Sequence, residues 1–443
     1  MAQKIGMVSL GCPKNQVDAE RLLYLLREAG YEITAEEDKA DVIIVNTCGF
    51  IESAKSEAIE NIVEVAGYKE SGNLKGLVVT GCLAERYREQ IINEMPEVDA
   101  VLGIGSNSEI VSVVQKVLSG EKVQSYGDKA ELSLSGDRIL TTPFYTAYLK
   151  VAEGCDNRCT YCAIPDIRGR FRSLPLEKCV EEAQNLAQKG VKELIVVAQD
   201  TTNYGTDLYG KPSLPALLKE LCKVEGIEWI RTLYTYPDKI TDELLDLIEG
   251  EEKLVPYLDI PIQHCNDKIL KKMNRKGTKQ ELIALIDKIR NKIPNITLRT
   301  SLITGFPGES EEEFTELCEF VRQVRFDRLG CFAYSAEEDT PAAEFENQVD
   351  LQERYDRSEN IMNDQMTIAA EKNEEKIGTV QKVLVEGYDP YIKCFFGRST
   401  ADAPDIDGKV FFMSDQKLAV GEFVSVMIND VLEYDLLGEK VED

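Results

Sequence analysis

Short apolar runs alternate with stretches of helical periodicity along most of this chain. Runs at 4–10, 41–46 and 76–80 read as strands, and helical spacing follows each at 16–29, 53–68 and 84–95. Strand–helix alternation predicts a parallel sheet. Residues 119–142 are polar and carry Gly120, Gly127 and Gly136, the pattern of a linker. A second alternating block follows. Its strands are expected at 145–151, 193–198, 228–233, 257–262, 297–303 and 328–334, with helices at 176–189, 214–224, 242–249, 280–292 and 310–324. Phe314, Leu317, Cys318 and Val321 show the helical spacing most clearly. Six such repeats predict a partial, open barrel, a fold whose active sites lie at the carboxyl ends of the strands. Residues 350–375 predict a long polar helix, with Leu351, Tyr355, Met362 and Met366 as the stripe that packs on the barrel. From Ile377 onward, short runs at 378–385, 391–397, 408–412 and 423–428 predict a small antiparallel β-barrel.

Composition narrows the class. The 443 residues are 43% hydrophobic, enough for several cores and two to four domains. No run of eighteen apolar residues occurs, so no transmembrane helix is expected. Met1 to Ile5 lead directly into an apolar strand, unlike a signal peptide. Twelve cysteines, six of them in motif-like places, argue for a reducing cytoplasm and metal binding rather than disulfides. The net charge of −28 repels nucleic acid and attracts a basic partner, although acidity also serves solubility alone.

The candidate chemistry lies in two cysteine sets. Cys155, Cys159 and Cys162 have the spacing C-x3-C-x2-C and follow a strand and Gly154. Three thiolates leave one metal position open, as in a four-iron cluster with one iron free of protein ligand. A zinc ion would want a fourth Cys or His, and none is near in sequence. Three inert core thiols form a further reading, against which the polar neighbours Asp156, Asn157 and Arg158 weigh. In the first block, Cys12, Cys48 and Cys82 each follow a strand and sit beside Gly11, Gly49 and Gly81. In a parallel sheet these strand ends share one edge, so the three thiolates are expected to converge there.

Other residues are expected at the carboxyl edge of the barrel: Gln199–Asp200, Gln263–His264 and the run from Gly305 to Glu309. His264, the only histidine, reads as structural more readily than as catalytic. Arg299 lies inside a strand and either pairs with a cofactor carboxylate or closes a salt bridge. Arg168, Arg170 and Arg172 alternate after the cysteine loop, as a site for phosphate or an acidic side chain or as a solvated loop. Cys179, Cys222, Cys265, Cys318, Cys331 and Cys394 lack ligand spacing, and four of them fall in apolar patterns expected in the core.

The loop Gly154 to Cys162, with aromatic Tyr161 before its third cysteine, resembles the signature of the radical S-adenosylmethionine enzymes. There the open iron binds the amino and carboxylate groups of S-adenosylmethionine, and one electron releases a 5′-deoxyadenosyl radical. Gly305-Phe306-Pro307-Gly308-Glu309 resembles the glycine-rich turn that contacts this cofactor. Ser9 to Asn15 and Asn46 to Phe50 resemble the N-terminal domain of the methylthiotransferase family, whose cysteines hold an auxiliary cluster used in sulfur insertion. The C-terminal strands resemble a TRAM domain, which binds RNA in several relatives.

The resemblance implies two 4Fe–4S clusters, at Cys155, Cys159 and Cys162 and at Cys12, Cys48 and Cys82, all six counted as catalytic. It implies contacts to S-adenosylmethionine from Tyr161, Gln199, Arg299 and Gly305. It also implies an α/β chain: a Rossmann-like domain at 1–125, a linker at 126–141, a partial (β/α)6 barrel at 142–372 and a TRAM-like β-barrel at 373–443.

One branch of the family modifies an isopentenyl-adenosine of transfer RNA. Another modifies an aspartate β-carbon of small-subunit ribosomal protein twelve. Residues 374–443 carry 7 Lys or Arg against 15 Asp or Glu, a charge suited to a basic protein rather than RNA. The run Arg398 to Gly408 also resembles a segment of the ribosomal branch. The expected activity is therefore aspartate methylthiolation in the cytoplasm, with transfer RNA as the alternative substrate. A non-enzymatic cluster scaffold is the third reading. A basic ribosomal protein, an external electron donor and a sulfur donor are the expected partners, with no membrane. The cysteine edge of the first domain is expected to meet the mouth of the barrel.

Overall fold

The computed structural model describes residues 3–442. Its first sheet is parallel and six-stranded, in the order Glu32–Ile33, Lys4–Ser9, Val42–Thr47, Gly76–Gly81, Ala100–Leu102, Val123–Ser125. Every residue of Val42–Thr47 and Gly76–Gly81 is buried, as near-continuous apolar strands covered on both faces should be. The strand order reverses direction between Lys4–Ser9 and Val42–Thr47. Such a switch point opens a crevice at the carboxyl ends, and Cys12 and Cys48 follow these two strands.

Several details differ from the sequence expectation, among them the short strands Glu32–Ile33 and Ala100–Leu102 and the helix Ile110–Leu118, which have no counterpart in it. The helix expected at 84–95 is two helices, Cys82–Tyr87 and Glu89–Glu94. Arg88 breaks it with φ +42°, and its guanidinium turns back to Glu85 at 2.8 Å. The polar stretch after 119 is not loose either. Val123–Ser125 is the sixth strand of the sheet, and Arg138 is buried between Glu20 (2.7 Å) and Glu182 (3.0 Å).

The second sheet holds six parallel strands in chain order: Thr146–Lys150, Glu193–Val197, Trp229–Thr232, Leu254–Asp259, Thr297–Thr304 and Arg328–Ala333. Helices Leu176–Gln188, Leu214–Leu221, Asp242–Gly250, Lys279–Lys292 and Glu311–Val324 cover its outside, and the largest core lies between the two layers. The sheet does not close, so this is the expected open barrel.

The five C-terminal strands, Val380–Asp389, Cys394–Ser399, Val410–Met413, Phe423–Leu432 and Asp435–Lys440, do close. The last was not foreseen, and it pairs parallel to Val410–Met413 while the other pairings are antiparallel. This small barrel stops the base of the large one, at the amino ends of its strands. Arg398 pairs with Glu193, Arg328 with Asp402 (2.6 Å), and Tyr257 donates to Asp407 (2.7 Å). Arg231 donates to the Thr400 carbonyl at 2.8 Å, and the Trp229 and Phe423 rings meet edge-on at 4.7 Å. The segment from Arg398 to Asp407 is therefore the plug between two domains.

Helix Leu351–Glu374 packs with a face turned away from the expected stripe, of which Met362 alone meets the core and accepts from Cys331 N–H. Leu351 is 58% exposed, Tyr355 53% and Met366 50%. Ile361, Ile368 and Ala369 are buried instead, together with Arg354, Arg357, Gln365 and Asn373. The last four have polar partners: Arg354 donates to the Tyr334 and Val349 carbonyls, Arg357 pairs with Glu309, and Gln365 donates to the Phe326 carbonyl. The helix lies across loops and strand ends whose carbonyl and carboxylate groups need donors, so polar residues face inward. Among the described residues, no helix is long and apolar enough to cross a membrane.

Arg398→Met should leave the buried Glu193 carboxylate with Arg231 as its single cation. Removing one partner of a buried pair costs about 3–5 kcal/mol. The variant should melt at a clearly lower temperature in a thermal scan followed by circular dichroism; an unchanged midpoint would refute the plug.

Candidate active site

The first cysteine set is held by side-chain bracing between loops. Leu10 N–H donates to the Asn46 carbonyl at 2.9 Å, and the chain then turns at Gly11 with φ +89°. A Cβ on Gly11 would lie 2.7 Å from Cys48 Cβ, so only glycine lets the two cysteine loops touch. Asn15 Nδ2 donates to the Leu10 carbonyl (2.8 Å) and the Thr47 carbonyl (3.2 Å); Asn46 Nδ2 donates back to the Asn15 carbonyl (2.9 Å). Cys12 is the N-cap of helix Pro13–Glu28, and Cys82 opens helix Cys82–Tyr87. Burial opposes ionisation of Cys12, but Lys14, Arg168 and backbone N–H groups outweigh it and hold its thiol below the usual range. Burial pushes Cys48 up and Cys82 up to about 12.

The second set sits on a loop fixed from three sides. Cys155 N–H donates to the Gly169 carbonyl at 3.2 Å. Asn157 Nδ2 donates to Asp200 at 2.7 Å, and Lys239 bonds both Asn157 (3.2 Å) and Asp200. Asn274 caps the Arg158 carbonyl (2.9 Å), and Thr160 bonds the Lys272 and Met273 carbonyls. Cys159 Sγ meets the Tyr236 hydroxyl at 2.7 Å, and the Arg275 guanidinium lies 4.0 Å above the Tyr236 ring. Burial raises Cys155 to about 11 and drives Cys162 higher still.

A buried ionic junction joins the two sets. Lys150 lies between Asp18 and Glu153. Arg168 spans Asp18 (2.7 Å), Glu153 (3.1 Å) and Asn15 (3.0 Å), and points two N–H groups at Cys82 Sγ, each at 3.3 Å. Cys82 packs on Ala163 and Ile167, immediately after Cys162. One wall therefore separates the two sets. Beside it a cavity of about 300 Å³ opens between the domains, lined by Arg86, Arg88, Lys129 and Glu338 among others. Of the three alternating arginines, Arg168 is this buried link, whereas Arg170 is solvated and pairs with Asp156.

The other sequence candidates are placed as follows. Gln199 Nε2 donates to Glu153 at 2.7 Å, and its buried Oε1 has no partner among the described residues. Tyr161 packs on the apolar cluster of Ile269, Met273, Phe306 and Tyr334. Gly305 has φ +69°, and a Cβ there would collide with the Arg354 side chain, so packing of the long helix demands the glycine. Arg299 pairs with Asp259 (2.8 Å) and faces Asp407 of the plug, which favours the salt bridge over the cofactor contact. His264 is fully buried, accepts from Asn266 N–H and faces Glu309 at 3.5 Å, a structural role. Cys179, Cys265, Cys318 and Cys331 are buried as core residues. Tyr236, Arg275 and Lys14 were not foreseen. Lys14 lies inside the motif already read, while Tyr236 and Arg275 come from loops with no sequence pattern.

Among the described residues, no three His, Cys, Asp or Glu side chains are close enough to share one metal ion. A four-iron cluster binds each thiolate through a different iron, so its ligands stand farther apart. Mutually interacting thiols, positive neighbours at Cys12 and Cys82, and a glycine-lined approach all suit an anionic cluster.

In iron-free protein, a lowered pKa means a larger thiolate fraction at a given pH, and the thiolate is what reacts. Iodoacetamide should label Cys12 first, with a rate that levels off at lower pH than for Cys155 or Cys82. Peptide mass spectrometry across pH 6–10 checks the order; equal rates would contradict the electrostatics.

The parts and the whole chain have known counterparts. Residues 4–103 match the uncharacterized protein family UPF0004, residues 149–321 the radical SAM superfamily and residues 377–441 the TRAM domain. Two solved structures share the fold. The radical S-adenosylmethionine methyltransferase TsrM from Kitasatospora setae, with cobalamin and a 4Fe-4S cluster bound, aligns at TM-score 0.58 and 14% identity over 86% of this chain and 81% of its own. The cobalamin-dependent S-adenosylmethionine radical enzyme OxsB aligns at TM-score 0.52 and 15% identity over 83% of this chain and 58% of its own. Among curated proteins, ribosomal protein uS12 methylthiotransferase RimO of Lachnoclostridium phytofermentans is 53% identical over 98% of this chain and 99% of its own length. Its namesake in Pelotomaculum thermopropionicum is 52% identical over the full length of both. Such identity, sustained through all three segments, means that the chain belongs to the RimO family of radical S-adenosylmethionine methylthiotransferases.

Proposed function

We propose that this chain inserts sulfur and a methyl group at the β-carbon of an aspartate in ribosomal protein uS12. The observation that carries the reading is the shared wall: Cys82 of one set packs on the residues that follow Cys162 of the other, and Arg168 ties both to one buried junction. The full-length relatives that act on uS12 by name favour this substrate over transfer RNA, as does the acidic charge of the C-terminal barrel.

Cys155, Cys159 and Cys162 would hold one four-iron cluster, and Cys12, Cys48 and Cys82 a second. When bound, such a cluster with S-adenosylmethionine supplies the one-electron chemistry needed to break an unactivated C–H bond. The chain's own residues position and shield that chemistry. Asn157, Asp200 and Lys239 fix the loop of the first set. Tyr236 and Arg275 place a hydroxyl and a positive charge beside Cys159, and Arg168 and Lys14 offset negative charge at Cys82 and Cys12. Gln199, held by Glu153, presents a free amide oxygen that would accept from the cofactor's amino group. Tyr161 and Gly305 shape that side of the site through packing. Electrons and sulfur come from separate donors. The reaction belongs in the cytoplasm, where twelve unpaired cysteines stay reduced. The boundaries 1–125, 142–372 and 373–443 describe the working parts, with 126–141 fastened between them.

Anaerobic reconstitution with iron and sulfide should load about eight irons per chain, as two four-iron clusters require. Incubation with S-adenosylmethionine, reductant and uS12 should then add one methylthio group to an aspartate, read by mass spectrometry. Cys48→Ala should lose about half the iron and form no product. Cofactor cleavage without change in uS12 would move the substrate to transfer RNA, and full activity of Cys48→Ala would end the two-cluster reading.

A further inference from the structure

Lys14 is a buried cation with no carboxylate partner; the groups that face it are the Cys12 thiol and Tyr234. It is 7% exposed. The other two buried lysines each hold two carboxylates: Lys55 has Glu52 and Glu337, and Lys150 has Asp18 and Glu153. Among the described residues, no carboxylate lies within ion-pairing reach of Lys14. Its ammonium instead sits 3.4 Å from the centre of the Tyr234 ring. An aromatic face attracts a cation without neutralising it, and a buried charge left this way is costly unless something else pairs with it.

The location is specific. Lys14 follows Cys12 by two residues. Tyr234 follows the barrel strand Trp229–Thr232 at its carboxyl end, and two residues on, Tyr236 touches Cys159 at 2.7 Å. The ammonium therefore lies where the Cys12 loop of the first domain meets the barrel loop that touches Cys159. Tyr234 is held there in the left-handed region, φ +61°, by an N–H bond to Asp259 at 3.0 Å.

From this geometry we infer that Lys14 is the positioning residue that binds the side-chain carboxylate of the acceptor aspartate. The assignment rests on the function proposed above. A carboxylate bound at the ammonium fixes the β-carbon one bond away, where the two loops meet. The same cation rejects asparagine, which brings it no charge. In a chain of net charge −28, a carboxylate needs such a local positive site to enter at all.

The test uses reconstituted full-length protein and uS12 in two forms, with its modified aspartate intact or replaced by asparagine. Wild-type protein should bind the aspartate form at least tenfold more tightly. Lys14→Met, compared with wild type at matched iron occupancy, should remove that preference, and Lys14→Arg should restore much of it. Lys14→Met that keeps the preference overturns the assignment. So does a variant that loses iron while keeping the preference, since the charge then serves Cys12. A variant that loses affinity for S-adenosylmethionine and keeps the preference likewise overturns it, because the carboxylate would be the cofactor's. Wild-type protein that leaves uS12 unmodified overturns the proposed function, and this assignment with it.

Discussion

The structure depends on the buried junction of Asp18, Lys150, Glu153 and Arg168. Two cations and two carboxylates, none more than a few per cent exposed, close a ring in which each group has two charged partners. Each ion would be expensive to bury alone, and pairing in a low-dielectric interior offsets that cost when the geometry is complete. The ring is complete only when the first sheet and the barrel are docked, because Asp18 comes from one and the other three from the other. It sets the angle at which the two domains meet. Asn15, Cys82 and Gln199 take their positions from it directly.

The base of the barrel is organised by the same principle. Glu193, Arg231 and Arg398 form a second buried ionic group, and Arg328, Asp402 and Asp407 a third. These groups bring the C-terminal barrel against the amino ends of the strands, opposite the cysteine edge. The mouth is thereby left for substrate while the base is closed. Asp402 and Asp407 belong to the acidic excess of the C-terminal segment but face inward. The remaining acidic side chains of that domain are the ones a basic partner can meet.

The helix Leu351–Glu374 buries polar side chains beside the apolar Ile361, Ile368 and Ala369. Its buried arginines serve carbonyls and Glu309, and Glu309 in turn accepts from Phe306 N–H and faces His264. The turn Gly305 to Glu309 is thus shaped from the outside by this helix, whose packing requires the glycine.

The sequence alone determined the main strands and helices of both alternating blocks, the open barrel and the edge on which both cysteine sets lie, while short strands such as Ala100–Leu102 and Asp435–Lys440 escaped it. The former follow from local periodicity and from the rule that parallel strands present their carboxyl ends together, so no long-range information is needed. It also determined the spacing C-x3-C-x2-C and hence a three-thiolate site. Tertiary structure decided what the charged residues do. Arg168 meets Asp18 across 150 positions, and Arg398 meets Glu193 across 205. Pairs so distant leave no period in the chain, and an arginine in a loop reads the same whether solvated or buried. The face of the long helix, the salt bridge of Arg299 and the surroundings of Lys14 were fixed in the same way. Each depends on which groups another domain brings within a few ångströms.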